Sequence, residues 1–414
     1  MKKIYILVLV VALVTFSSAQ TDEQKFSLSS YGEMLYQHFD YGPNQRATPQ
    51  GSKKDSRAII DIPRFILEAK YNFLPDLFVN SEIEFEHLGT GSALELEYDE
   101  FGEYESEVEK GGEVEVEELF LSKSFSDGIN IRIGKFPIPF TLLNQSHEPL
   151  DFFATVRPES ERMIIPVIWT ETGVEFFGSA YNFDYRLAIV NGLDAAGFSS
   201  ERWISKGHQT HFETLSATNM AVVARLDYAP LDESLIGGSV YYGNSSDNRP
   251  KPEDMAGIDA NVTVISLHAQ YMESPIIIRG DFIYGNLQNS DIVSQRNARL
   301  STNIQYPRSP VAKNAIAWYA EGGYDIFSLL SHLPDYKLYP FIRYEHYNTM
   351  QEVEEGIFAN PRFNRSILTF GINFIWNNEI VLKLDYASRE VGGGDYNTEN
   401  TIGFGVGYNA TFIK

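Results

Sequence analysis

The chain has 414 residues, no cysteine and a formal net charge of −23. The lack of cysteine excludes a disulfide scaffold, thiolate metal sites and thiol catalysis. The acidic balance excludes a nucleic-acid partner, whose phosphates must be met by clustered Lys and Arg. With 24 Tyr and 28 Phe in a composition that is 43% hydrophobic, the chain is not a disordered one.

The first element is at the N-terminus. Lys2 and Lys3 precede an apolar run from Ile4 to Phe16, interrupted only by Thr15, and Ser17-Ser18-Ala19 supplies small residues for a cleavage site. This predicts a secretory signal peptide over 1–19, cut after Ala19. The run falls short of the roughly 20 residues of a spanning helix. The remaining chain, 20–414, carries 31 basic and 56 acidic residues, a net −25.

From there period two dominates, as in strands with one apolar face. Sixteen strands are predicted, at 25–39, 57–72, 77–88, 113–126, 129–136, 168–178, 181–190, 217–228, 235–244, 260–273, 275–287, 314–328, 336–348, 363–376, 379–389 and 400–413. The last is the clearest: Ile402, Phe404, Val406, Tyr408, Ala410 and Phe412 alternate with Gly403, Gly405, Gly407, Asn409 and Thr411. Tight turns near Pro75-Asp76, Asp127-Gly128, Ser179-Ala180, Pro230, Ser274-Pro275 and Asn377-Asn378 alternate with longer polar loops. The fold class is therefore all-β, a transmembrane up-and-down antiparallel barrel with turns at one rim and loops at the other. A soluble sandwich would have shorter strands and no such alternation. Open sheet edges cannot face lipid, so the sheet must close.

Several constellations bear on function. Glu82, Glu84 and Glu86 share an inward face, as do Glu113, Glu115 and Glu117, and the loop between these strands adds eight more acids from Glu95 to Glu109. They read either as solvated charge or as a surface calcium site, although no spaced calcium-loop motif is present. The segment 137–167 cannot be a regular strand, since Pro137, Pro139, Pro149, Pro158 and Pro166 give no ladder donor. It is also rich in Phe, Leu and Ile. Folded inward it would narrow the bore and bring His147, Glu148, Arg157, Glu159, Glu161 and Arg162 to the constriction; the alternative is packing on the rim or at a subunit contact. Basic-x-acidic triplets recur as Arg225-Leu226-Asp227, Arg279-Gly280-Asp281, Arg343-Tyr344-Glu345 and Lys383-Leu384-Asp385, with Asp184-Tyr185-Arg186 reversed. Residues two apart share a face, so these charges should line the lumen, where they either rigidify the wall or shape the field that ions meet. His208, His211 and Glu213 lie in a polar loop without helical context, and no nucleophile elbow or phosphate-cradling loop is present. No enzyme, metal or cofactor is expected.

The run Ile131-Arg132-Ile133-Gly134-Lys135-Phe136-Pro137-Ile138-Pro139-Phe140 resembles a signature of the phosphate-selective porin O and P family, a strand reading R-x-G-x-F that enters a proline-bearing P-F segment. The stretch to Pro166, with Asn144, His147-Glu148-Pro149, Arg157-Pro158-Glu159, Arg162 and Ile164-Ile165-Pro166, looks like that family's bacteroidete branch, and Trp169, Glu171 and Gly173 follow. The resemblance implies a sixteen-stranded homotrimer in the outer membrane of a Gram-negative bacterium, in contact with its lipid. It adds Lys135 to the constriction and Arg132 to the lumen. The final strand resembles an outer-membrane assembly signal, except that Ile413 and Lys414 follow Phe412. The expected function is passive diffusion of small solutes and ions, with phosphate suggested by the family. The alternative is a barrel with a closed lumen that serves structure, secretion or adhesion.

Overall fold

A computed structural model describes residues 25–43, 54–87, 93–96, 106–109, 114–209, 214–300, 308–330, 333, 335–393 and 398–414. The predicted signal peptide, the acids from Glu97 to Glu105, Glu113, and His211 with Glu213 lie outside these residues.

The strands in chain order are β1 (Phe26–Pro43), β2 (Lys54–Leu74), β3 (Leu77–Glu86), β4 (Ala93–Leu96), β5 (Ser106–Glu109), β6 (Val114–Ser126), β7 (Ile129–Pro137), β8 (Thr170–Ala180) and β9 (Phe183–Asn191). They continue as β10 (Met220–Leu231), β11 (Ser234–Asn244), β12 (Asn261–Tyr271), β13 (Ile276–Leu287), β14 (Asn314–Tyr324), β15 (Tyr336–Glu352), β16 (Asn364–Trp376), β17 (Ile380–Val391) and β18 (Thr398–Ile413). Sixteen of them form one closed barrel in which each strand pairs with its sequence neighbours, and β1 closes on β18. The exception is the pair β4–β5, a small separate hairpin in the loop between β3 and β6. The sequence pattern reads that hairpin as loop, because four residues a side give too short a period to detect.

Alternation sets the register. Across β17 and β18, Leu384 faces Phe404 and Asp385 faces Gly403, so apolar and polar sets stay on opposite faces. Outward aromatics form two bands: Phe125, Phe183, Tyr228, Tyr271, Tyr324 and Trp376 toward the turns, and Tyr242 and Tyr284 toward the loops. Such girdles are characteristic of barrels seated in a bilayer. The hairpin after β8 turns at Tyr181-Asn182 (φ 53° and 65°), two residues later than the sequence suggests, and that after β16 at Asn377-Asn378 (φ 55° and 54°). Two left-handed residues in a row match the twist of the strands they join.

The apolar core lies inside the barrel. Near the loop end, Ala188, Val190, Ala221, Val223, Tyr241, Val262 and Val264 point inward and pack against Phe140, Met163, Ile164, Ile165 and Trp169 of the segment between β7 and β8. Phe198, Trp203, Ile204, Val293 and Val311 of other long connections complete the cluster. A polar inner face was expected along these strands. It is found lower down, whereas at the loop end both faces are apolar, one outward and one buried under the loops.

Candidate pore constriction

The segment 138–169 begins with a distortion of β7. Gly134 has φ 138°, and a Cβ there would stand 2.2 Å from the Leu119 carbonyl oxygen, so only glycine fits. Pro137 then ends the ladder. Asn144 ties the two ends of the segment together: its Nδ2 donates to the Ile138 carbonyl at 2.9 Å and the Trp169 carbonyl at 3.1 Å, and its Oδ1 accepts from Trp169 N. Trp169 is fully buried between Phe140 and Tyr241.

Between those ends the segment is held through its backbone by strand side chains. Arg225 donates to the Thr141 carbonyl, and Asp281 accepts from Leu142 N at 3.3 Å. Lys383 Nζ donates to the carbonyls of Phe152 (2.8 Å) and Ala154 (3.1 Å), and Asn373 to that of Phe153 (2.8 Å). Asp385 accepts from Thr155 N at 2.5 Å, Arg343 donates to the Val156 carbonyl at 3.1 Å, and Glu345 accepts from Ser160 N at 3.0 Å. From the other side Arg64 donates to the His147 carbonyl at 3.4 Å, the His147 ring meets Tyr31 Oη at 3.1 Å, and Asn409 donates to Glu148. The partners come from β1, β2, β10, β13, β15, β16, β17 and β18. An irregular backbone whose peptide groups have left the ladder needs such partners when buried. Phe153 stacks on Phe341 with centroids 5.2 Å apart, under the Arg279 guanidinium.

The triplet charges are therefore crowded rather than bathed. Arg343 is 2% exposed and Lys383 3%, while Leu226 and Leu384 on the opposite face are 53% and 50% exposed. Arg225 pairs with Asp227 at 2.7 Å, Arg343 with Glu345 at 2.8 Å, and Arg279 with Glu321. His268 Nε2 meets Asp227 at 2.8 Å. Arg132 and Arg186 both approach buried Glu175, at 3.5 and 3.7 Å, and Asp184 accepts from Ser179 near the turn rim.

Of the predicted constriction charges, Arg157 lies in electrostatic reach of Glu161 and of Arg64, Glu33 and Glu84 on the β1–β3 wall, whereas Glu161 also faces Glu345 of β15. Glu159 and Arg162 are 3.8 Å apart on the one-turn helix α1 (Glu159–Arg162). Lys135 does not join them. It shares the outward face of Ile133, opposite Leu119 in the register, and reaches over the rim to Glu115 and the Val116 carbonyl. Residues 133 and 135 share a face, so the inward position of Arg132 sends Lys135 the other way.

Glu159 has partners that the sequence reading passed over. Burial raises its carboxyl, but Arg389, Arg162 and Arg365 outweigh that and hold it at about 2, below its ordinary 4.5. Arg389 was detectable, since it shares the parity of Lys383 and Asp385 along β17. Arg64, which holds the His147 carbonyl rather than Glu159, was not, because a register shift between Glu33 and Leu35 of β1 breaks the period around Pro63.

No protein-family model matches the chain. An uncharacterized protein of Aquifex aeolicus is 28% identical over 372 residues, 88% of this chain and 76% of that one. The fold is that of the outer-membrane porins. An anion-selective porin from Comamonas acidovorans superposes with a TM-score of 0.52 at 9% identity, covering 93% of this chain and all of that one. The outer-membrane channel DcaP of Acinetobacter baumannii gives 0.52 at 12% identity, covering 93% and 98%. OmpF of Salmonella typhi, in complex with daunomycin, gives 0.51 at 12%, covering 92% and 97%.

Proposed function

We propose that this chain is an outer-membrane porin of a Gram-negative bacterium, through which small solutes and ions diffuse passively, with 138–169 as its constriction. The reading rests on one observation above all: the segment, which leaves the wall between β7 and β8, is bonded mainly through its own backbone to inward side chains of eight strands along the arc from β10 round to β2. A segment packed on the outer rim would have no such partners. The narrowest passage then runs between Arg157 on the segment, with Glu161 and Arg162 close by in sequence, and Arg64, Glu33 and Glu84 on the wall. Phosphate passage, suggested by the family resemblance, relies on Arg157, Arg162 and Arg64; the neighbouring carboxylates oppose it. The same resemblance supports a homotrimer of bacteroidete origin, and the N-terminal pattern supports export with cleavage after Ala19.

Planar-bilayer recording of the purified protein tests the proposal. Discrete conductance steps are expected. Replacing Arg157 and Arg162 by Ala should move the zero-current potential in a salt gradient toward cations, because charges near a narrow passage dominate its field. Deleting most of 138–169 should raise the single-channel conductance. A folded barrel without steps would refute the proposal and favour the closed-lumen role. If neither quantity moves while neutralising the 95–109 acids shifts selectivity, the filter lies in the outer vestibule instead. Light scattering in detergent would report three chains per particle, and N-terminal sequencing of the exported protein would begin at Gln20.

A further inference from the structure

Glu159 lies among the expected constriction charges, yet its surroundings give it a different task. Its carboxylate is buried and held by three neighbouring strands. Arg389 of β17 donates through Nε at 3.1 Å to both oxygens and through Nη2 to Oε2. Arg365 of β16 approaches to 3.5 Å, and Tyr347 of β15 donates its hydroxyl at 2.5 Å. Arg389 is braced in turn by Glu399 of β18 at 3.5 Å. The segment's other acids are tied differently: Glu161 accepts from Thr141 and Asp151 from the Glu148 amide, both within the segment, and Glu148 accepts from Asn409, a neutral side chain.

We propose that Glu159 is the positioning residue that fixes the width of the passage, a latch pinning α1 to the β15–β17 wall and so setting where Arg157 stands. The inference rests on the porin reading. Its physical basis is that a buried carboxylate bound by arginines holds only as a complete set, since removing one member leaves a buried charge without its partner. The same set shows why Glu159 does not serve as a charge for passing ions: both its oxygens are occupied.

The test compares E159Q with E161Q in the full chain, folded into detergent and checked by heat-modifiable migration. Both remove one negative charge from the segment, but only E159Q releases the latch. E159Q should raise single-channel conductance about twofold with noisier open states, and move the zero-current potential toward anions as Arg365 and Arg389 lose their counter-charge. It should also make 138–169 cleavable by added protease. E161Q should change selectivity alone and leave the segment protected. Equal conductance changes in both variants would reduce the effect to plain charge and overturn the proposal, as would an E159Q segment as protease-resistant as wild type. The protease arm needs no current, so it judges the latch even if the wild-type barrel fails to conduct and the porin reading falls.

Discussion

Two inward glycines show how closely the segment fits its seat. A Cβ on Gly407 would come within 2.5 Å of Pro149 Cβ, and one on Gly403 within 2.3 Å of Thr155 Oγ1. Gly407→Leu should therefore displace the segment. Overpacking of this kind typically costs about 1–3 kcal/mol, but movement of a connection would absorb much of it. The expected outcome is a folded barrel with altered conductance and little change in urea midpoint; a large fall in midpoint with normal conductance would contradict it. The ionisation of Glu159 makes a second prediction at this scale. Its pKa is about 2 in the folded protein against an ordinary 4.5, so the stabilisation of the seat is complete above about 4.5 and is lost as pH falls toward 2. Conductance followed from neutral pH downward should stay level to about pH 4.5 and rise below it; a rise already at higher pH would implicate another group.

At the scale of the element, 138–169 behaves as one folded unit tied at its base. Asn144 serves both the Ile138 and Trp169 carbonyls and the Trp169 amide. Asn144→Ala takes the acceptor from the buried Trp169 amide, a loss of about 1–3 kcal/mol, while the Trp169 carbonyl still accepts from Ile138 N at 2.9 Å and the Ile138 carbonyl from Gln145 Nε2 at 2.7 Å. The segment should loosen while the barrel ladder persists. Hydrogen exchange should show faster exchange at Ile138 and Trp169 with strand protection unchanged; loss of strand protection would mean that the segment is needed to hold the barrel. The loop ends of β9 to β12 carry the same lesson. Leu187–Val190 and Ala221–Ala224 are short continuous apolar runs, the signature of strands buried on both faces, and Val262–Ile265 is interrupted only by Thr263. The segment, together with the loop residues Phe198, Trp203 and Ile204, supplies the second burying surface.

At the scale of the whole molecule, the barrel leaves no sheet edge, since β1 pairs with both β2 and β18. Its outer belt is apolar, and its inner side is filled by ion pairs, loop backbone and an apolar core. Leu226 stands on the outer belt beside Tyr185 and opposite Gly238. Leu226→Arg should destabilise the barrel in liposomes by about 2–4 kcal/mol if that position sits near the bilayer midplane. Equilibrium urea unfolding in lipid vesicles measures this, and an unchanged unfolding free energy would mean that the belt lies at another height.

The sequence by itself determined the barrel. Strand number, their ends to within four residues, the antiparallel neighbour order and the apolar outer face all follow from period two and from alternating short and long connections, which are local properties of the chain. It also isolated the proline-broken segment, because proline removes ladder donors wherever it stands. What the segment touches was decided by tertiary structure alone. The seat joins Thr155 to Asp385, 230 residues apart, and Glu159 to Arg389, also 230 apart. Pairings at that distance depend on barrel closure and on bulges that reset parity, as around Pro63. They leave no periodic trace in the chain, so the sequence could place charges on the inner face without saying which of them would meet one another.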